Sequence, residues 1–299
     1  MTPMPRWKRR IYFYTMVIVF VFIVPVIALY STGYRLDENF SIVQTGGIHV
    51  SAPMPNALMT IGDERYKRSG TFYRDWFVQN LTPGTYTVRV SKESYWTWSK
   101  EITVKEQEVA NAFSFMVPKD PEIEEIDAVL IQPPESAGGA TTTIANPRFE
   151  ELQTAFRKAK QSIEEPATRT STSSDARASA YDQVSPDESV ALWRKHNQLF
   201  ATWLEDERFL PRYFCRDDVC EKTVVVHFSF SPITYFDFFP GRSDITLVAT
   251  QHSVFAIEID KRGTQNIQPV YKGESPTFIV ENGTVYIEDN GRIFSVSLS

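Results

Sequence analysis

The chain has 299 residues, a formal net charge of −6 and an aromatic fraction of 13%. The mild acidic excess excludes the basic footprint that nucleic-acid binding requires, so no nucleic-acid partner is expected. The length allows two modest domains, and the 21 Phe and 13 Tyr favour strands over helices.

The first element is apolar. Ile11 to Tyr30 reads IYFYTMVIVFVFIVPVIALY, without a charged residue. At 1.5 Å per residue this gives about 30 Å of helix, the thickness of a bilayer's hydrocarbon core. Thirteen of its residues are Ile, Leu, Val or Phe, each worth roughly −0.3 to −0.6 kcal/mol on insertion. Pro25 does not forbid this, because lipid-embedded helices tolerate a kink. Arg6, Lys8, Arg9 and Arg10 precede the run, whereas Arg35 after it stands beside Asp37 and Glu38. The positive-inside rule then places residues 1–10 in the cytoplasm and residues from 31 onward outside it. The expected localisation is the plasma membrane, single-pass, with lipid as the partner of residues 11–30. A cleavable signal peptide fits the same stretch, with Val26-Ile27-Ala28 as a small-residue cleavage site. The run continues through Leu29 and is long for a signal peptide, which favours the uncleaved transmembrane helix.

Residues 31–45 read as a polar stalk. From Gly46 the pattern becomes period-two: Ile48 and Val50, then Ala57, Met59 and Ile61, then Tyr86, Val88 and Val90, then Ile102 and Val104. Apolar-in, polar-out alternation suits a sheet with one wet face. Gly62-Asp63 and Pro83-Gly84 supply turns. Strands near 47–52, 57–62, 72–79, 85–91, 96–104 and 109–117 make residues 46–118 a small antiparallel β-sandwich.

These residues resemble a known family. GGIHVSAPMPNALMTIGD, LTPGTYTVRVSKESYWTW, EITV and the final strand AFSFMV are similar to a PEGA domain. That family has a Pro-Glu-Gly-Ala turn and a later L-x-P-G-x-Y-x-V-x-V strand followed by an aromatic pair. The later strand is matched by Leu81, Pro83, Gly84, Tyr86, Val88 and Val90, with Tyr95 and Trp98 as the aromatics. The namesake turn is less well kept: Pro53-Met54-Pro55-Asn56-Ala57 retains a Pro and the Ala but lacks Glu and Gly. Where family members often carry Gly before the Tyr, this chain has Ser94. The resemblance spans about 70 residues; it implies a β-sandwich and a prokaryotic source, and it brings no catalytic residues.

Residues 119–188 read as a flexible linker, because PPESAGGATTT and PATRTSTSSDARAS have little to bury. Within it, residues 147–165 are helical in pattern, with Phe149, Leu152, Phe156, Ala159 and Ile163 on one stripe. That stripe fits a docking or self-association helix, and equally a helix packed on its own domain. Ile123–Ile131 suits one more strand.

In residues 189–299 apolar strands return in a shared shape, an apolar strand, a polar turn and then a strand opening with an aliphatic–aromatic pair: Leu199-Phe200, Val254-Phe255 and Ile293-Phe294. Asn282-Gly283 and Asn290-Gly291 are strong hairpin signals. Units of about 40 residues resemble the blades of a β-propeller; fewer than three are counted from the repeat. The expected fold is therefore mainly β: an N-terminal transmembrane helix, a PEGA-like sandwich, a linker with one helix and a C-terminal β-propeller-like multi-sheet domain.

Cys215 and Cys220, in CRDDVC, fit a local disulfide in an oxidising exterior. They are too few for a zinc site. No phosphate loop, dinucleotide fingerprint, H-E-x-x-H or G-x-S-x-G occurs. His49, His196, His227 and His252 are dispersed and show no metal-ligand spacing, so no metal or cofactor is expected. Asp217-Asp218, Asp260 and Glu205-Asp206-Glu207 read as solvated turn residues, and no catalytic residue is assigned. The strongest binding candidate is Tyr95-Trp96-Thr97-Trp98. Trp96 and Trp98 are expected on one strand face, where they would stack on sugar rings or seat a partner chain; the same side chains also suit the edge of a small core. Trp193 and Trp203 carry the same two readings. Asn80 and Asn282 match the glycosylation acceptor pattern, which matters only in a eukaryote.

The function expected from these features is a non-catalytic, membrane-anchored binding or scaffold protein of the prokaryotic cell envelope, with an envelope polymer or protein as partner. An envelope-acting hydrolase with its site in the C-terminal domain is the alternative from another class. A sensor is a third, although about ten cytoplasmic residues would need a partner to read them.

Overall fold

The computed structural model describes residues 5–36, 40–66, 69–70, 74–132, 142–164, 182–216 and 219–298. The chain divides into two compact units. The first takes in residues up to Val88 together with Glu101–Ser114, and the second takes in Arg89–Lys100 and Phe115–Ser299.

The first unit opens with α1 (Arg6–Ser31), 26 residues with Pro25 inside and no residue buried. By length and composition α1 can cross a membrane. A short hairpin follows, β1 (Tyr34–Leu36) against β2 (Ile42–Gln44). The next strands are β3 (Gly46–Ser51), β4 (Leu58–Ile61), β5 (Glu64–Arg65), β6 (Asp75–Leu81), β7 (Gly84–Ser91), β8 (Trp98–Val104) and β9 (Val109–Phe113), of which the end of β7 from Arg89 and the start of β8 up to Lys100 count with the second unit. They form two sheets, ordered β6-β3-β9 and β5-β4-β7-β8. Each sheet buries one face: Ile48, Val50, Trp76, Val78 and Ala112 in one, Met59, Ile61, Val88, Val90, Ile102 and Val104 in the other. The alternation read from the sequence accounts for both faces.

One pairing differs from the antiparallel expectation, since β9 runs parallel to β3. The close approach depends on glycine. A Cβ on Gly46 would lie 2.3 Å from the Lys105 carbonyl oxygen and 2.7 Å from that of Glu108, so only a residue without a side chain fits there.

The second unit continues with β10 (Ile123–Ile126), β11 (Val129–Gln132), β12 (Thr142–Ala145), α2 (Pro147–Glu164) and β13 (Gln183–Val184). Then come β14 (Val190–Lys195), β15 (Gln198–Trp203), β16 (Cys215–Arg216), β17 (Val219–Cys220) and β18 (Thr223–Phe228). The last seven strands are β19 (Ile233–Phe238), β20 (Ile245–Thr250), β21 (Ser253–Glu258), β22 (Ile267–Lys272), β23 (Thr277–Glu281), β24 (Thr284–Asp289) and β25 (Arg292–Val296).

Among the described residues these strands give three four-stranded sheets, ordered β13-β14-β15-β18, β19-β20-β21-β22 and β10-β25-β24-β23. The repeat in the sequence suggested fewer than three such units. The difference lies in β10, which pairs antiparallel with β25 through Ile123↔Val296 and Ile126↔Ile293. A strand 170 residues away in sequence cannot be seen in a local repeat. The stretch read as linker thus holds β10, β11, β12, α2 and β13, while most of its Ser/Thr-rich parts lie outside the described residues.

The Asn-Gly signals have a backbone explanation. Asn282 and Gly283 have φ of 51° and 79°, and Asn290 and Gly291 have 53° and 78°, which is what a two-residue hairpin turn with matching twist requires. Leu192, Leu199, Val226, Phe236, Val248 and Ile257 form a buried core shared by the sheets of β14–β18 and β19–β22. The third sheet is covered by α2: Leu152 and Phe156 pack with Ile279 and Ile293, flanked by Phe149, Ala155, Ala159 and Tyr286. The helix stripe is therefore spent on its own unit, and the docking-helix reading is set aside. Asn146 caps the helix, its Oδ1 accepting the Arg148 N–H at 3.0 Å, with Pro147 in the first position. The side chain of Ile163 lies outside the described residues.

Asp237 on β19 gives a pH signature. Burial pushes its carboxyl up to about 6, against the pull of the Phe238 N–H donated to its Oδ1 at 2.7 Å. A folded form that binds a proton more tightly than the unfolded chain gains stability in acid and loses it as pH rises from about 4 through about 6. Asp237→Asn is expected to raise the stability of the second unit by about 2–3 kcal/mol at pH 7.5. At pH 4 it should change nothing, and melting curves at the two pH values check this.

Candidate functional site

The aromatic stretch expected to bind lies in the connection from β7 to β8, within the second unit. Tyr95 makes a single β-bridge with Pro118. The Trp96 N–H donates to the Val117 carbonyl at 2.9 Å, and the Lys119 N–H donates to that of Ser94 at 2.8 Å. Ser94 has φ of 65°, the left-handed region that glycine adopts at least cost. This explains why a glycine is usual before the tyrosine. Asn56, directly before Ala57, has φ of 62°, a region that asparagine tolerates.

Trp96 and Trp98 do not share an exposed face. β8 begins only at Trp98, so the two-residue alternation does not reach back to Trp96. Trp98 is completely buried, while Trp96 is 38% exposed with the Lys119 ammonium 5.8 Å from its ring centroid. Tyr95 is half-buried, with the Lys92 ammonium 4.7 Å from its ring centroid. Of the three aromatics, Trp96 is the most exposed. Trp203 is buried edge-on against Phe214, and Trp193 is stacked on Phe200 at 4.2 Å with its Nε1 donating to Thr202.

Next to Trp98 lies a buried charge cluster. The Lys100 ammonium meets the Glu258 carboxylate at 2.9 Å and that of Asp260 at 3.5 Å, and it donates to the Asp260 carbonyl at 2.9 Å. Arg262 closes on Asp260 at 2.7 Å. Asn266 donates through Nδ2 to Glu258 at 2.9 Å and exchanges hydrogen bonds with the Ser99 backbone. Trp98 Nε1 donates to Glu258 Oε1 at 3.4 Å. Gln268 accepts the Val117 N–H at 2.7 Å. Burial raises the Glu258 carboxyl and the Lys100 charge pulls it back down. Two cations face two anions, and no buried side-chain polar atom lacks a partner among the described residues. A cluster so fully engaged with itself orders strands; it leaves no group aimed at a substrate.

This cluster was not anticipated, and Asp260 is buried rather than the solvated turn residue expected. A signal was nevertheless present. Lys100 is in phase with Trp98, Ile102 and Val104, and Glu258 with Val254 and Ala256. A charge at an inward position needs an opposite partner.

The remaining candidates stay apart. His49 stands beside Phe77, His196 is exposed in a turn, and His252 Nδ1 lies 3.0 Å from the Glu274 carbonyl. His227 is half-buried, its pKa lowered by burial and by Lys261. No group of three metal-ligating side chains occurs among the described residues. Cys215 and Cys220 are joined by a disulfide across β16 and β17, beside a groove of about 440 Å³ lined in part by Tyr213, Arg216, Glu221 and Lys261. Asp217 and Asp218 lie outside the described residues. Asp206 caps a short 3-10 turn, its Oδ1 accepting the Arg208 N–H. The Asn80 side-chain oxygen is taken by Arg35 at 2.9 Å.

No curated protein matches the chain. Residues 77–119 match the family model of the PEGA domain, so the segment from β6 through Trp96 to Lys119 is the PEGA-like part of the chain, and the turn at residues 53–57 lies outside the match.

Proposed function

We propose that the chain is a membrane-anchored, non-catalytic binding protein of a prokaryotic cell envelope, its N-terminus cytoplasmic and its β-modules held outside the cytosol. The observation that carries this reading is α1, whose apolar residues are exposed on every side. A helix that is apolar all round and unburied needs lipid around it. Four basic residues before the run and none within it support the orientation. The PEGA match supports an envelope setting, and Trp96 is the side chain we assign to ligand contact, through ring stacking on an envelope glycan.

The test uses the full chain in lipid nanodiscs, sedimented with isolated cell-wall sacculi. Binding is expected, and Trp96→Ala should weaken it about 10-fold, the usual scale for an aromatic anchor. An unchanged melting temperature for the variant would show that folding is intact. Binding that is absent, or indifferent to Trp96→Ala, would remove the glycan-binding role.

A further inference from the structure

We propose that the β1–β2 hairpin is a second membrane contact, with Leu36, Phe40 and Ile42 seated in the headgroup–acyl boundary of the bilayer that α1 spans. This rests on the anchor reading above and goes beyond it, since the sequence reads residues 31–45 only as a polar stalk.

Exposure is the first observation. Leu36 is 65% exposed, Phe40 85% and Ile42 63%. Leu36 and Ile42 are direct cross-strand partners, so their side chains stand together on one face of the ribbon. A two-stranded ribbon is marginal by itself in water, and one that also exposes three large apolar side chains calls for a covering surface.

Position identifies the cover. Residues 11–30 fill the hydrocarbon core, which puts Tyr30 at its outer boundary; the polar headgroup layer adds only about 5–8 Å on that side. The hairpin is held against the helix end. Arg35 donates to the Tyr30 carbonyl at 2.8 Å, and its guanidinium lies 3.6 Å over the Tyr30 ring centroid. Gly33, at φ +88°, turns the chain, and its carbonyl accepts both the N–H and the hydroxyl of Thr45, at 2.9 and 2.8 Å. Arg35 also donates to Asn80 Oδ1, and the Gln107 N–H donates to the Thr45 carbonyl, which ties the hairpin to the strands of the same unit. With its base fixed on Tyr30, the ribbon presents its apolar face within the depth at which amphipathic elements embed. Residues 37–39 lie outside the described residues. The expected consequence is that α1 and the sheets of the first unit are oriented at the membrane as one piece, rather than swinging on a stalk.

The experiment places a polarity-sensitive fluorophore at Ser41→Cys in the full chain, one chain per nanodisc of phosphatidylcholine, the native cysteines remaining as their disulfide. Lipids spin-labelled near the headgroup serve as quencher, and the same dye at Tyr30→Cys reports the anchor. The dye at position 41 is expected to emit blue-shifted light and to lose roughly half its intensity with quencher, as an interfacial depth implies. Leu36→Ser with Ile42→Ser should return it to a water-like spectrum. A water-like, unquenched dye at 41 beside a quenched dye at 30 overturns the hairpin contact and leaves the anchor standing. Water-like dyes at both positions overturn the anchor reading, and the contact with it. Quenching at 41 that survives the serine pair also overturns the contact, because the apolar face would then not be its cause.

Discussion

Replacing Lys100 with methionine is expected to destabilise the second unit by about 3–5 kcal/mol, the cost of leaving a buried ion without its partner. For a unit of this size that corresponds to a fall in melting temperature of roughly 10 °C. The reason is geometric. The Lys100 ammonium holds Glu258 at 2.9 Å and Asp260 at 3.5 Å, with its side chain only 1% exposed. Removing the cation leaves two carboxylates close together, of which Arg262 reaches only Asp260. Burial raises the Glu258 carboxyl and the Lys100 charge lowers it, so without that cation it binds a proton more readily and the penalty should shrink as pH falls. Glu258→Gln added to Lys100→Met should recover a substantial part of the loss at pH 7.5. The comparison that decides is Arg292→Ala. Arg292 meets Glu125 at 3.0 Å with both side chains largely in water, and exposed pairs contribute under about 1 kcal/mol. If the two substitutions cost the same, burial is not what gives the Lys100 cluster its weight.

The second large effect concerns α1. Its 13 branched or aromatic apolar residues together favour insertion by about 4–8 kcal/mol, and each aspartate near the helix centre costs about 2.5–3.5 kcal/mol. Val19→Asp with Phe20→Asp should therefore cancel the preference and move the chain from the carbonate-resistant membrane fraction to the soluble one. Val19→Ala with Phe20→Ala, which shortens side chains without adding charge, should leave it in the membrane. Mass spectrometry of the membrane-bound protein should find residues 6–31 still attached. Their absence would identify the helix as a signal sequence instead.

What the sequence made legible follows from the range of the interactions involved. The apolar run, the period-two strands at 46–51 and 84–91 and the Asn-Gly turns are encoded by neighbours, and local periodicity reads them. The stripe on α2 was visible as Phe149, Leu152, Phe156 and Ala159, but its cover was not, because Ile279 and Ile293 lie more than a hundred residues further on. The strand expected over Ile123–Ile131 is present as β10 and β11, but the partner of β10 was hidden for the same reason, because β25 lies far along the chain. The error over Trp96 and Trp98 came from extending a two-residue period past the end of β8. Asp260 was misjudged because a turn residue is usually wet, and its partner Lys100 comes from a strand 160 positions earlier. The local signals of such a pair are the in-phase Lys100 and Glu258, each a charge at an inward strand position.

The central claim is that α1 stays in a bilayer and carries the β-modules on the side away from the cytosol. The most direct measurement fuses the C-terminus, in parallel, to alkaline phosphatase, which is active only after export, and to green fluorescent protein, which fluoresces only in the cytosol. Expressed in a bacterium, the phosphatase fusion should be active and the fluorescent fusion dark. A bright fluorescent fusion paired with an inactive phosphatase would place the β-modules inside the cell and contradict the account.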